Sequence, residues 1–431
     1  MTDPVQTDIL KLDRLGVGVG THEGKPLLLP GTLPGESVSA TVLGGGQYQS
    51  FGKVDAWTVT SPHRVTPPCV HAGSCGGCTL QHMSLEFQQN WKRSRLRDGL
   101  KEAGLHEIEV REVVSLEKGS AFRGKAQFML RCLEDETWEI GLYAPRSNTL
   151  IALDSCWVQD TLTQQLLEGL NQQLGQRFVA PGLKGVLGRS NGKGVLLTWL
   201  LTEQPSSQTK TVLKEAGQSI PGVVGCFYHL SPPEGNALIG KETVHLSGAT
   251  SLEYQVRDVV FSAGPVSFVQ TTLEGAELLV DEVRRRVPQS IEHLVDLYGG
   301  VGLFGLALGK RAKSVTVVER DGPSARDGQE NLKGMGTYLC GDVSRVKDQI
   351  SPMDVMVVDP PRAGLSSPVI EWIGMESKPR QLVYVSCSES TLIRDLQALL
   401  SMGYQVNDVT PVDLFPHTPH LELVTHLQRV D

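Results

Sequence analysis

Long hydrophobic runs, a basic charge excess and abundant cysteine are all missing from this chain. Its most apolar stretch, residues 294–309, is interrupted by Asp296 and several glycines, so no segment has the length and apolarity of a membrane span. No signal peptide is recognisable, and we therefore expect a cytoplasmic protein with no membrane partner. The formal net charge of −8 excludes a uniformly basic nucleic-acid-binding surface but leaves room for a local basic groove.

Eight cysteines among 431 residues are too few for a disulfide-stapled scaffold. Three of them, Cys69, Cys75 and Cys78, lie close together, which favours a metal or cluster site in a reducing compartment. Such a site needs a fourth donor, for which the candidates are Cys132, Cys156 and Cys226. Four thiolates suit zinc or a [4Fe–4S] cluster, and the spacing alone does not choose between them.

The pattern along the chain predicts three domains. Residues 1–61 hold short alternating runs between turn clusters, which is typical of a small β-barrel of about five strands. Residues 61–68 are rich in proline and predict an extended linker. The second domain, residues 62–271, contains the clustered cysteines and a helix over about 84–103.

The third domain, residues 272–431, alternates helices with short apolar strands and predicts a doubly wound parallel sheet. Two further strands close the chain with no convincing helix between them, so we expect a terminal antiparallel hairpin. The five parallel strands are predicted near residues 293–298, 315–319, 337–340, 353–358 and 380–386.

Polar side chains follow two of these buried strands. Cys387 lies between a strand and a helix, and a helix N-terminus favours the thiolate. The motif Asp359-Pro-Pro-Arg362 ends another strand, and its two prolines predict a rigid loop that can hold a planar base. Because ligands of open α/β sheets bind at the carboxyl edge, we expect these groups to meet there.

A third strand ends in the turn Asp296-Leu-Tyr-Gly-Gly-Val-Gly302, where glycines let the backbone approach a ligand. Glu319 ends the next strand, and a carboxylate at that position can accept both ribose hydroxyls of a nucleoside. The G-x-G-x-x-G spacing of dinucleotide folds is not met. The turn therefore favours S-adenosylmethionine, which has no pyrophosphate, over NAD.

Cys387 and Glu422 together suit methylation of a pyrimidine at C5. That carbon is a poor nucleophile, but addition of a thiolate to C6 creates an enolate that can attack a methyl sulfonium. A base must then remove the C5 proton so that the thiolate can leave. Glu422 is a lone carboxylate in the apolar segment His420-Leu-Glu-Leu-Val, and it is the candidate base.

With these motifs in order, the chain resembles the RNA uracil-C5 methyltransferase family, and most of all its 23S ribosomal RNA enzymes with an N-terminal TRAM domain. The resemblance covers nearly the whole length. It is carried by Leu33-Pro-Gly-Glu36, Cys69-x5-Cys75-Gly-Gly-Cys78, Ser267-Phe-Val-Gln270, Asp296-Leu-Tyr298, Gly341-Asp342, Asp359-Pro-Pro-Arg-Ala-Gly364, Tyr384-Val-Ser-Cys387 and Pro416-His-Thr-Pro-His-Leu-Glu422.

The resemblance implies a monomer with a Rossmann-like class I methyltransferase domain, an OB-like TRAM β-barrel before it, and a central iron–sulfur α/β domain. It implies that Cys387 is the nucleophile and Glu422 the base, acting on a uridine flipped out of RNA. The cluster, [4Fe–4S], would be held by Cys69, Cys75, Cys78 and Cys156. The S-adenosylmethionine contacts would come from Gln270, Tyr298, Leu303, Glu319, Asp342 and Asp359.

The chain departs from the family pattern at several positions. Leu303 stands where Asn or Thr is usual, which removes a hydrogen bond to the methionine end of the cofactor. Ser388-Glu389 replaces the usual Asn-Pro, and a nearby carboxylate should raise the pKa of the Cys387 thiol. Residues 1–60 hold four Lys or Arg against six Asp or Glu, so this barrel should bind phosphates weakly.

Three alternatives stay open. Transfer RNA could replace 23S ribosomal RNA as the substrate, because relatives methylate the same ring carbon there. Leu303 and Glu389 allow a catalytically inactive iron–sulfur RNA-binding protein. An NAD-dependent oxidoreductase with an electron-transfer cluster ranks last, since it gives Asp359 and Cys387 no function.

Overall fold

The computed structural model describes residues 4–175, 180–232, 240 and 242–430. The chain divides into two compact units. One contains the residues up to Arg95 together with Tyr143–Ile151 and Phe415–His420, and the other contains Leu96–Leu142, Ala152–Leu414 and the chain from Leu421 onward. The three-domain division of the sequence stays a prediction.

The first unit contains a six-stranded sheet around Ile9, Leu27, Leu29, Val38 and Ala40. About five strands were predicted, because Gly18 and Gly20 weaken the alternating pattern of the third strand. The assignment of this sheet to the TRAM class stays a prediction. The strands, in the spatial order β1-β5-β6-β4-β3-β2, are β1 (Val5–Asp8), β2 (Lys11–Leu12), β3 (Gly18–His22), β4 (Lys25–Leu29), β5 (Ser37–Gly45) and β6 (Ser50–Val59).

The predicted linker at residues 61–68 is anchored to this sheet. The Arg64 guanidinium pairs with the Glu36 carboxylate at 2.5 Å and donates to the Gly31 carbonyl at 2.7 Å. Glu36 is fully buried and also accepts a hydrogen bond from the Leu33 N–H at 2.9 Å. A buried carboxylate needs such partners, so the segment is held in place rather than freely extended.

The middle of the chain is mixed α/β. Within the second unit its strands pair in the order β9-β8-β11-β12-β13-β14, and β15 pairs with β16 as a hairpin. The predicted helix over 84–103 is confirmed. The elements are α1 (Leu85–Glu102), β7 (Val114–Ser115), β8 (Lys125–Cys132), β9 (Trp138–Tyr143), β10 (Leu150–Ala152), α2 (Thr161–Leu174), β11 (Leu183–Ser190), β12 (Val195–Leu201), α3 (Ser207–Ser219), β13 (Val223–Leu230), β14 (Glu242–Gly248), β15 (Leu252–Val256) and β16 (Val259–Ala263).

The C-terminal part of the second unit forms an eight-stranded sheet in the order β19-β18-β17-β20-β21-β23-β22-β7. Its elements are α4 (Leu273–Arg286), β17 (Ile291–Leu297), α5 (Leu303–Gly309), β18 (Ala312–Glu319), α6 (Gly322–Asn331), β19 (Thr337–Cys340), α7 (Val343–Val346), a 3-10 turn (Lys347–Gln349), β20 (Val355–Val358), α8 (Ser367–Glu371), a π-helical segment (Trp372–Ser377), β21 (Gln381–Ser386), α9 (Glu389–Ser401), β22 (Tyr404–Asp413) and β23 (Glu422–Arg429).

This sheet confirms the predicted doubly wound arrangement. Strands β17 to β21 pair in parallel, and β22 and β23 pair antiparallel with each other, as expected for the terminal hairpin. Every residue of β20 is apolar and buried, as a parallel strand covered on both faces requires. The short edge strand β7 was not predicted, because two residues carry no periodic signal. Across the described helices, none is long and apolar enough to cross a membrane.

Candidate active site

The turn after β17 places backbone, rather than side chains, at the carboxyl edge of the sheet. Tyr298, Gly300 and Gly302 adopt left-handed backbone angles, with φ of 61°, 56° and 92°. At Gly299 a Cβ atom would lie 2.5 Å from the Val317 side chain. The glycines are therefore required by the conformation of the turn and by its close packing, and their predicted role in letting the backbone approach a ligand stays a prediction.

Asp296 lies directly beneath this turn and is fully buried. Its Oδ2 accepts a hydrogen bond from the Gly305 N–H at 2.8 Å, whereas its Oδ1 has no partner among the described atoms. Burial, with a smaller contribution from Asp359, raises the pKa of Asp296 to about 8. A buried acid with an unpartnered oxygen is a polar group that a ligand or a proton must satisfy.

Glu319 ends β18 beside the turn and is oriented by backbone groups. Its Oε2 accepts from the Gly300 N–H at 3.1 Å, and its Oε1 accepts from the N–H groups of Arg320 and Asp321 at 2.6 Å each. These contacts fix the carboxylate in one orientation at the strand end. That position suits the predicted role of accepting hydrogen bonds from ribose hydroxyls.

A small cavity of about 30 Å³ lies beside the turn. It is lined by four of the six residues predicted to bind the cofactor, namely Gln270, Tyr298, Leu303 and Asp359. Aromatic side chains complete part of the wall. The left-handed turn and the unpartnered Asp296 oxygen make this edge of the sheet a candidate ligand site, and the nucleoside-containing cofactor stays a prediction.

The Asp342 side chain has a structural role as a helix cap. It caps α7 by accepting from the Ser344 N–H at 3.0 Å and from the Ser344 hydroxyl at 2.6 Å. The Ser344 side chain lowers the pKa of Asp342. Its predicted contact with the cofactor therefore stays a prediction.

Cys387 lies between the end of β21 and the N-cap residue of α9, Ser388, as predicted. Burial first, then the carboxylates of Glu422 and Asp359, raise the pKa of this thiol to about 11. The sequence predicted a favoured thiolate, and this is wrong for the ligand-free protein because desolvation outweighs the helix terminus. A raised pKa of the Cys387 thiol was expected from the neighbouring Glu389, but the carboxylates that raise it most are those of Glu422 and Asp359.

Glu422 is the first residue of β23 and is 6% exposed. Burial, and then the charge of Asp359, raise its pKa well above the ordinary value. Asp359 follows β20, and burial raises its pKa to about 7, with a further contribution from Glu319. The predicted nucleophile and base thus lie at the same edge of the sheet, because β20 and β21 end there and the antiparallel β23 begins there.

The three clustered cysteines lie in a turn-rich segment and are half-buried, and all are free thiols. The Gly77 N–H approaches the Cys75 sulfur at 3.4 Å. Burial raises the pKa of Cys75, and Cys69 adds to the shift. Cys156 is half-buried, and its N–H donates to the Gln164 side chain at 2.9 Å. No group of three or more His, Cys, Asp or Glu in the described part of the chain is arranged to hold a metal ion.

Sequence reasoning missed one residue of this site and one cation of the central sheet. Arg362 opposes the shifts of both Cys387 and Glu422, although only Asp359 of its motif was assigned a role. Lys125 is surrounded by the cations of Arg189 and Arg123, and burial lowers its pKa to about 8. The alternation of basic residues at the start of β8 was the available signal.

Comparisons with known proteins agree with this geometry. A family model described as tRNA (Uracil-5-)-methyltransferase matches residues 345–430. An uncharacterized RNA methyltransferase of Enterococcus faecalis is 32% identical, over 97% of this chain and 97% of that protein. A second, from Halalkalibacterium halodurans, is 32% identical over 99% of this chain and 97% of that protein.

Among solved structures, the Pyrococcus abyssi tRNA (uracil-54, C5)-methyltransferase in complex with S-adenosyl-L-homocysteine shares the fold. It superposes with a TM-score of 0.75 at 23% identity, covering 98% of this chain and 100% of that one. The fold and the site define a class of α/β methyltransferases. The chain belongs to a family of RNA methyltransferases, in agreement with the sequence prediction.

Proposed function

We propose that this protein methylates C5 of a uridine in RNA through a covalent bond between the Cys387 sulfur and C6 of the ring. The observation that carries this proposal is the meeting of Cys387, Glu422 and Asp359 at one edge of the sheet, where β20 and β21 end and β23 begins. One thiol and one late-acting base are what C5 methylation of a uracil requires.

The chain's own residues perform three tasks in this reaction. Asp359 holds the uracil edge while the Cys387 thiolate adds to C6, and the ring electrons move to O4. After the methyl group has been transferred to C5, Glu422 accepts the C5 proton. The C5–C6 double bond then forms again, and the Cys387 thiolate leaves. The high pKa of Glu422 makes it a strong base once its proton has left the pocket.

S-adenosylmethionine supplies the methyl group on a positively charged sulfur. Glu319 would accept hydrogen bonds from its ribose, and Gln270, Tyr298 and Asp342 would contact the rest of the molecule. Leu303 offers only apolar contact at the methionine end. The raised pKa values of Asp296 and Asp359 fit a pocket that receives a cation, because a positive charge would lower both values.

A Cys387→Ala variant tests the covalent step. RNA carrying 5-fluorouridine has no C5 proton to lose, so the wild-type protein should form an adduct that survives denaturing electrophoresis. We expect Cys387→Ala to form none, while the control Cys132→Ala, which changes an exposed thiol, forms it normally. Adduct formation by Cys387→Ala would refute the assignment of the nucleophile.

We propose 23S ribosomal RNA as the substrate, on the basis of the N-terminal β-domain and the central domain. Transfer RNA is the second candidate, and it is supported by the description of the matching family model. Mapping of 5-methyluridine in total RNA from cells with and without the gene distinguishes the two. Loss of the mark from transfer RNA alone would reject the ribosomal assignment.

We also propose that Cys69, Cys75 and Cys78 are ligands of a [4Fe–4S] cluster. The chemistry of the donors supports this, since thiolates are the usual ligands of such clusters and the Gly77 N–H already points to the Cys75 sulfur. The cluster has no part in the methyl transfer and would serve to shape the RNA-binding region.

A further inference from the structure

The loop at residues 359–365 is fastened to helix α9, which starts just after Cys387. The Thr391 hydroxyl, in the first turns of the helix, donates to the Arg362 carbonyl at 3.2 Å. One turn later, the Arg394 guanidinium donates to the carbonyls of Ala363 and Leu365 at 3.0 Å each. The backbone of Arg362 is therefore held against the helix.

The inner end of the loop is fastened by a buried acid. Asp395 is fully buried and accepts from the Leu365 N–H and from the Tyr384 hydroxyl, both at 2.8 Å. Tyr384 lies on β21, the strand that leads to Cys387. Side chains of the helix and of the strand are thus hydrogen-bonded to one another and to the loop backbone, and these bonds fix the backbone of Arg362 relative to Cys387.

Within this frame the charges near the thiol are mostly negative. Glu422 and Asp359 both disfavour a Cys387 thiolate, and Arg362 favours it. Arg362 likewise favours the ionised form of Glu422. Glu389 adds a carboxylate from the first turn of α9. Two further acids interact electrostatically with Asp359: Glu319 raises its pKa, and Asp359 in turn raises the pKa of Asp296.

We propose that Arg362 is a positioning residue that stabilises the anionic forms of Cys387 and Glu422, so that the thiolate can attack and the carboxylate can accept the C5 proton. This inference rests on the proposed function. The S–H bond of Cys387 breaks and its proton goes to solvent, and the guanidinium compensates the charge left on sulfur. The fixed loop holds the backbone from which the guanidinium extends.

Alkylation of Cys387 by iodoacetamide tests this proposal on the full-length protein without RNA. Only the thiolate reacts, so the rate measured by mass spectrometry of the Cys387 peptide over a pH series reports thiolate formation. We expect Arg362→Gln to shift the midpoint upward by about one pH unit, which is about tenfold less thiolate at a given pH. Arg362→Glu should shift it further, and Arg362→Lys should restore most of the wild-type profile.

Arg326→Gln is the matched control, because Arg326 is an exposed arginine in the same unit and should leave the profile unchanged. Arg362 is exposed too, so its substitutions should not unfold the protein, and circular dichroism checks this. A wild-type midpoint in both Arg362→Gln and Arg362→Glu would overturn the proposal. Failure of the covalent mechanism itself is detected separately, by the 5-fluorouridine adduct with Cys387→Ala.

Discussion

Glu422 illustrates how a single buried residue acquires its chemistry. Its carboxyl group is 6% exposed, and desolvation together with Asp359 raises its pKa. A carboxylate in water would be too weak a base to take a proton from carbon efficiently. Burial at the start of β23 therefore converts an ordinary glutamate into a base suited to the final step.

Replacing Glu422 by Gln should separate methyl transfer from release. The amide cannot accept the C5 proton, so we expect turnover to fall about a hundredfold or more. A methylated covalent protein–RNA complex should accumulate on ordinary uridine RNA and be visible on denaturing gels. The exposed Glu371→Gln variant is the control. Normal turnover by Glu422→Gln would assign the base to another residue.

Asp359 predicts how stability changes with pH in the ligand-free protein. Its pKa is raised from 3.8 to about 7 in the folded state, so between these values the folded chain keeps a proton that the unfolded chain has lost. Stability from this group is therefore lost as the pH rises through this window. We expect the fall in melting temperature from pH 5 to pH 7 to be smaller in Asp359→Asn than in wild type.

The control for this measurement is Asp348→Asn, which changes an exposed carboxylate in the same unit. It should reproduce the wild-type slope. An Asp359→Asn slope equal to that of wild type would mean that Asp359 is ionised in the folded protein and that the pocket is better solvated than its burial indicates.

At the scale of secondary-structure elements, the loop after β20 is held against helix α9 by hydrogen bonds. The sequence predicted a rigid Asp359-Pro-Pro-Arg362 loop, but it gave no sign of the bonds from Thr391, Arg394 and Asp395 that hold it. Prolines restrict only the local dihedral angles of the chain. The orientation of the loop against Cys387 depends on side chains that lie later in the sequence.

Asp395→Ala should detach this loop. Two buried donors, the Leu365 N–H and the Tyr384 hydroxyl, would lose their acceptor, and Arg394 would lose its ion pair at 2.6 Å. We expect the free energy of unfolding to fall by about 3 kcal/mol. Thermal and denaturant unfolding measure this, with Asp348→Ala as the control. A change below about 0.5 kcal/mol, the range of ordinary surface substitutions, would contradict the role given to Asp395.

Over the whole molecule, the relatives match along nearly the full chain, whereas the family model matches only residues 345–430. The family model thus covers the end of the methyltransferase sheet. That region contains the Asp359 motif, Cys387 and Glu422. The proposed substrate-binding and cluster-binding functions belong to the rest of the chain, where helices and strands do not alternate regularly.

The cluster proposal is tested on anaerobically purified full-length protein. We expect about four iron atoms per chain and broad visible absorption, because a [4Fe–4S] centre needs four thiolate ligands. Cys78→Ser should lose most of the iron, while Cys132→Ser should retain it. Zinc in place of iron would reject the cluster, and absence of any bound metal would reject the site itself.

Much of the architecture was readable from residue order. The apolar run of β20 and the strand-then-helix pattern around Cys387 predicted the parallel sheet, because strands buried on both faces need continuous apolar residues. The positions of Asp359, Glu319 and Cys387 at strand ends then followed, since parallel strands present their carboxyl ends at one edge. The charge states of these groups could not be predicted from the order of residues. Desolvation and Coulomb interactions depend on distances between residues far apart in the chain, such as Cys387, Glu422 and Arg362, and folding alone sets those distances.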